Sequence, residues 1–184
     1  MGNILKPRKI PASVKRFIIT GAILFVAWQL LYNFLLLPSA IPDNQLTHAT
    51  GRLSAWVLSF FYPYVDTHFT GYLYLLQVGN ENTLGIARHC NGLELMALYA
   101  GVLIALPGKV WGKIWFSAAG IAGIFLLNVV RCCLLVWLHM QHAQLYHFAH
   151  HYAFKLAVYF AAFYGWTLYL KYYPPAKATL PATT

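Results

Sequence analysis

The chain has 184 residues, 60% of them hydrophobic and only 9% charged, with a mean hydropathy of +0.57. Soluble globular chains carry about 25% charged residues. This one has too little charge to coat a water-facing surface, and composition makes it a single integral membrane domain. A net charge of +9 would suggest nucleic acid as partner of a soluble protein. Here the basic residues flank apolar runs, which is a topology signal and not a nucleic-acid footprint.

Residues 1–16 form a basic arm with Lys6, Arg8, Lys9, Lys15 and Arg16. Residues 17–37 are apolar except for Thr20, Gln29 and Asn33, and about 20 such residues suffice to span a bilayer. The run is too long for a signal-peptide core of about 7–15 residues, so an uncleaved anchor is expected despite the Pro38-Ser39-Ala40 that follows. Residues 38–52 read as a polar outer connection. Residues 53–64 are apolar and aromatic but too short to span, and predict an interfacial or re-entrant helix ended at Tyr62-Pro63. Residues 65–89 read as an outer loop, with Gly71, Gly79-Asn80 and Gly85 as turn signals. A short strand is possible within it at Tyr72-Leu73-Tyr74-Leu75-Leu76.

Residues 90–106 predict a second span. A tight turn follows at Pro107 to Lys113, a third span at 114–138, a His-rich outer loop at 139–151, and a fourth span at 152–170. The fold expected is therefore an all-α integral membrane protein with about four transmembrane helices and one short interfacial helix. The membrane domain covers 17–171, and 172–184 is a flexible cytoplasmic tail. In this arrangement the basic arm, Lys109, Lys113, Lys171 and Lys177 share one side and hold nine of the thirteen basic residues and none of the four acids. The positive-inside rule makes that side cytoplasmic, which predicts a multi-pass protein of the cytoplasmic (inner) membrane with both termini in the cytoplasm. All eight histidines then fall outside or at the outer boundary.

Three chemically distinctive residues reach that same outer boundary. Cys90 and His150 stand where the second and fourth spans begin. Arg131 lies about one helical turn below the outer surface, counting 1.5 Å per residue from the start of the third span. Ionisable groups at apolar spans are costly and are functional candidates by default. The thiolate is the nucleophilic form of cysteine, and a helix N-terminus or a nearby Arg favours it. His150 has the pKa range to take the thiol proton and return it to a leaving amine. Arg131 can either activate the thiol or hold a developing oxyanion, and the residues leave both roles open. Glu94 stands one turn beyond Cys90, and Asn128 one turn before Arg131 on its face. A Glu94–Arg131 ion pair across spans two and three is a structural alternative for that arginine. Cys132 and Cys133 read as free thiols packed as small hydrophobes.

At these residues the chain resembles the exosortase/archaeosortase family. The resemblance rests on Cys90-Asn91-Gly92, on Asn128-Val129-Val130-Arg131, and on His150 heading the last span, within residues 88–170. It implies a membrane cysteine protease or transpeptidase with its active site on the extracytoplasmic side and no cofactor. Its partners would be exported proteins with a C-terminal sorting signal, made of a short motif, an apolar helix and a basic tail. The cut end would be passed in some cases to an envelope glycan or lipid acceptor. Carried over residue by residue, Cys90 is the nucleophile, His150 the acid/base and Arg131 the transition-state support, with Asn91, Gly92, Glu94, Asn128 and His151 as supporting residues. His150 is preferred over His151 because His150-His151-Tyr152-Ala153-Phe154 looks like the family's His-x-Tyr-x-Phe form.

Two rival classes fit parts of the sequence. His139, His142, His147, His150 and His151 crowd one loop, and imidazole suits Zn, Cu, Ni or haem iron, although no His-Glu-x-x-His motif occurs. A non-enzymatic envelope assembly or transport component is the other, since an aromatic content of 17% suits interface belts without defining chemistry.

Overall fold

The computed structural model describes residues 11–174. Residues 1–10 of the basic arm and 175–184 of the tail expected at 172–184 lie outside the described residues. Helix α1 (Ala12–Leu31) runs through a π-helical turn (Tyr32–Leu36) into the short α2 (Leu37–Ser39), and no residue of this rod is buried. Ile18, Ile23, Phe25 and Leu30 lie exposed along it. A helix apolar on all sides belongs in lipid.

Ala40, left-handed at φ 53°, turns the chain into α3 (Ile41–Leu58). The polar connection expected at 38–52 and the interfacial helix expected at 53–64 are mostly this one helix. Asp43, Thr47, Thr50, Gly51, Ser54 and Leu58 recur every three or four residues and are all buried. The polar residues that resembled a loop are the inward face of the helix. Hydropathy misreads such a segment because its polar side turns away from the surroundings.

The segment expected as an outer loop at 65–89 is an antiparallel meander, set in a chain that is otherwise mostly helical, in keeping with the all-α expectation. Strands β1 (Val65–Phe69), β2 (Leu73–Val78) and β3 (Glu81–Ala87) form a three-stranded sheet in the order β1-β2-β3. Gly71 and Gly79, at φ 90° and 65°, make the two reversals, as the turn signals predict, whereas Gly85 lies within β3. Along β2 burial alternates, with Tyr74, Leu76 and Val78 facing in. Gly51 lets α3 lie against that face, because a Cβ there would meet the Tyr74 ring.

A 3₁₀ turn (Arg88–Cys90) leads from β3 to α4 (Leu93–Ala105). Helix α5 (Val110–Gln141) covers the expected third span and extends past it at both ends, taking in Trp111, Lys113 and His139. The His-rich segment is mostly helical, with α6 (Ala143–Phe148), a π-helical turn (Ala149–Ala153) and then α7 (Phe154–Tyr172). Among the described residues, two helices are long and apolar enough to cross a membrane, Ala12–Ser39 and Val110–Gln141, and α4 is a shorter apolar helix.

Two cores hold the chain together. One joins α3, the sheet and α5 through Leu58, Tyr74, Leu76, Val78, Leu84, Ile86, Cys132, Leu135 and Val136. The other joins α4, α5 and α7 through Met96, Tyr99, Leu103, Ile124, Ala162 and Tyr169. Near the second core's far end, the Lys113 ammonium donates to the Ile104 carbonyl (2.7 Å) and the Tyr169 hydroxyl to that of Pro107 (3.2 Å). Arg16 lies within electrostatic reach of Lys113. The start of α1, the α4–α5 turn and the end of α7 therefore gather at one end of the molecule.

The second core depends on a slot for one ring. Tyr99 of α4 lies between Gly120 of α5 and Gly165 of α7, where a Cβ on either glycine would meet it. Its ring stacks on Trp166 at 6.0 Å, and the Trp166 indole N–H donates to the Tyr99 carbonyl (3.2 Å). Small residues let membrane helices approach this closely. Gly120→Ala should displace the ring and cost about 1–3 kcal/mol by overpacking, read as a lower thermal midpoint in detergent. Gly123→Ala, which meets nothing within 4 Å, should leave the midpoint unchanged.

Candidate active site

Cys90 closes the 3₁₀ turn that follows β3, three residues ahead of the first residue of α4. This modifies the expectation that it begins the helix. Asn91 occupies the intervening position, and its side-chain carbonyl accepts the Leu93 N–H (2.9 Å), taking the first free amide of α4. Gly92, at φ 86°, allows the sharp entry into the helix. Cys90 is half-buried and a free thiol.

Asn128 binds this turn to α5. Its amide N–H donates to the Cys90 carbonyl (3.0 Å), and its amide oxygen accepts a long hydrogen bond from Arg131 Nη1 (3.4 Å). A carbonyl only accepts and a guanidinium only donates, so the two partners fix the amide's orientation between them. Arg131 Nε is buried and has no hydrogen-bond partner among the described residues. Asn128 itself is 4% exposed. It stands one helical turn from Ile124 of the second core and one from Cys132 of the first, at the seam between them.

His150 reaches this region through Tyr146. Their rings stack in parallel, 5.8 Å apart with an interplanar angle of 2°. Burial pushes the Tyr146 phenol's pKa up, Arg131 opposes that shift, and Cys132 and Cys90 add to it. The phenol is thus within electrostatic reach of both the thiol and the guanidinium. His150 is half-buried and lies in the π-helical turn ahead of α7. Such turns occur mostly as single bulges, frequently at functional sites. The side chain of His151 lies outside the described residues.

Cys90, Asn128 and Arg131 are brought together directly, and His150 joins them by way of Tyr146. Glu94 is not part of the cluster. It lines a cavity of about 270 Å³ between α1 and α4 with Gln29, Tyr32 and Trp28, and no ion pair to Arg131 is found among the described residues. Cys132 is buried in the first core, and the Cys133 thiol points to the Ser54 carbonyl at 3.8 Å.

Tyr146 was not singled out in the sequence, although its position one turn before His150 was the available signal. His139 and His142 of the 139–151 segment are held against aromatic rings, on Tyr146 (5.5 Å) and on Trp137 (5.5 Å). Among the described residues, no group of three or more His, Cys, Asp or Glu side chains is arranged to hold a metal ion.

The family model for transmembrane exosortases matches residues 11–171. The chain belongs to the transmembrane exosortase family. Membership and the apolar helices support a membrane location, and membership supports a membrane sorting protease or transpeptidase in general. No curated protein and no solved structure matches the chain.

The three cysteines differ in surroundings: Cys132 is buried in the first core, half-buried Cys133 lines an apolar cavity with Phe61, Leu134 and Trp137, and half-buried Cys90 lies in the turn between β3 and α4. A membrane-impermeant maleimide at neutral pH should label Cys90 and leave Cys132 and Cys133 largely unmodified, as read by peptide mapping. Equal labelling of all three, or of none, would count against an activated thiol at Cys90.

Proposed function

We propose that this protein is a cysteine protease/transpeptidase of the cytoplasmic membrane that cleaves C-terminal sorting signals of exported proteins. The bridge through Asn128 carries the reading, since it joins the Cys90 backbone to an arginine whose Nε–H remains unused. In this reading α1, α4, α5 and α7 cross the bilayer, with both termini cytoplasmic. The basic residues at the gathered end support that orientation, and the Cys90 end then faces the extracytoplasmic side.

The chemistry follows from the residue types. His150 takes the Cys90 proton, and the thiolate adds to the scissile carbonyl carbon. Arg131 donates through Nε to the resulting oxyanion, a fixed donor in a site shielded from water. Collapse breaks the C–N bond, and the leaving amine takes the proton from His150. The thioester left on Cys90 is then resolved by water, or by a hydroxyl or amine of an envelope acceptor, deprotonated in turn by His150.

A co-expressed fusion ending in a short motif, an apolar helix and a basic tail tests the reading. Cys90→Ala should abolish its processing while the protein stays inserted, and undiminished processing would remove the protease reading in favour of an assembly or transport role. His150→Ala should be severe and His151→Ala milder, and the reverse order would move the base by one residue. Arg131→Lys keeps a positive charge but loses the fork of donors. It should lower turnover about 10²–10³-fold, the usual cost of one oxyanion donor, while maleimide labelling of Cys90 persists. Turnover near the wild-type value in Arg131→Lys would assign the arginine to charge alone.

A further inference from the structure

The turn that carries Cys90 is held from a second side, by residues outside the family motif. Asp43, in the first turn of α3, is 1% exposed, and so is Asn91. The Asn91 amide donates to Asp43 Oδ1 (2.9 Å) and is 3.2 Å from the Asp43 carbonyl and 3.4 Å from the Thr47 hydroxyl. The other carboxylate oxygen, Oδ2, accepts from the Tyr32 hydroxyl (3.2 Å) at the end of α1. At the turn's opposite end, Arg88 donates to the Asn44 side chain and to the Gly71 carbonyl, both at 3.0 Å. Asp43 and Asn44 therefore grip the residues on either side of the turn, while Asn128 grips Cys90 itself.

A carboxylate is an expensive way to fasten a helix in an apolar protein. Burying a charge costs several kcal/mol even when it is partnered, and apolar packing does the same work more cheaply. What Asp43 adds is direction. Its two oxygens fix the Asn91 amide on one side and Tyr32 on the other, and Asn91 in turn caps the first amide of α4. The backbone on both sides of Cys90 is then immobilised relative to α5, which carries Arg131.

Resting on the cysteine-protease reading above, we infer that Asp43 is a positioning residue for Cys90, acting through Asn91 to hold the thiol within the field of Arg131. It touches no reacting atom. Without its carboxylate the Asn91 amide keeps only the longer contacts to the residue-43 carbonyl and the Thr47 hydroxyl, and the turn that carries the thiol shifts relative to Arg131.

Alkylation by iodoacetamide at pH 7 tests this without any peptide substrate, in a Cys132→Ala/Cys133→Ala background where Cys90 is the one remaining thiol. Asp43→Ala should slow alkylation about tenfold, the scale on which small misplacements act in active sites, with the thermal midpoint in detergent reported alongside. Asp43→Asn retains an acceptor toward Asn91 and should restore the rate to within about twofold, since its amide oxygen takes the place of the carboxylate Oδ1 in a side chain of the same shape. An unchanged or faster rate in a folded Asp43→Ala protein would overturn the inference. So would an Asp43→Asn protein as slow as Asp43→Ala, because the charge and not the hydrogen bond would then be acting. Should Asp43→Ala fail to fold, Asn91→Ala carries the same expectation, and an unchanged rate there is equally fatal. Failure of the Cys90→Ala processing test would remove the protease reading and leave the alkylation result readable by itself.

Discussion

An apolar exterior offers interior polar groups no partner but the protein itself, and the turn that carries Cys90 is built on that constraint. Lipid offers no hydrogen bonds, so non-helical backbone at membrane depth is tolerated only when buried in protein or lining a water-filled cavity. The buried polar residues, Asp43, Thr47, Thr50, Ser54, Asn91 and Asn128 among them, lie on α3, on α5 and in the turn between β3 and α4. Asp43, Thr47, Asn91 and Asn128 converge where the chain leaves regular structure, at Arg88–Gly92, whereas the Thr50 and Ser54 hydroxyls find no partner among the described residues. The Cys90 carbonyl would be stranded there, and Asn128 answers it.

The same placement explains why the cluster sits between two apolar cores and not within either. The first core fastens the sheet to the later turns of α5, and the second fastens α4 and α7 to its first half. Among the described residues, only α5 places fully buried side chains in both. Asn128 and Arg131 are therefore on the one element whose position is fixed from two directions, which suits groups that must aim at a developing charge. The sheet carries the chain to the thiol from above, because β3 runs without interruption into the 3₁₀ turn.

Much of the site was legible in the sequence because its residues are chemically conspicuous. A Cys, an Arg and a His beside apolar spans stand out, and helical spacing linked Asn128 to Arg131. The fold was legible where one property varies along the chain, as in α1 and α5, whose apolar runs are long. It was illegible where two properties cancel. The polar stripe of α3 faces inward, so its mean hydropathy resembles that of a loop. Strand β1 does alternate, with Val65, Thr67 and Phe69 half-buried and Asp66 and His68 exposed, yet it carried no strand expectation, whereas the strand expected at 72–76 overlaps β2 (Leu73–Val78). The ties that hold Cys90 from α3 join residues 44 to 48 positions apart, beyond any local pattern. Glu94 illustrates the opposite error. Its spacing from Cys90 was read as pointing toward α5, whereas the helix turns it toward α1.

Helix α4 carries a last consequence. Its 13 residues rise only about 20 Å, against a hydrocarbon thickness of about 30 Å, while α5 leaves the same turn and runs about 48 Å over its 32 residues. Two neighbours of such unequal reach cannot both match a flat bilayer. In the proposed four-span arrangement, lipid beside α4 thins to follow it, at fractions of a kcal/mol for each ångström of mismatch. Bilayer thickness thereby becomes a variable felt directly at the thiol: a thicker, more ordered membrane would press on the short flank and change how deeply Cys90 is submerged, with no change in any protein contact.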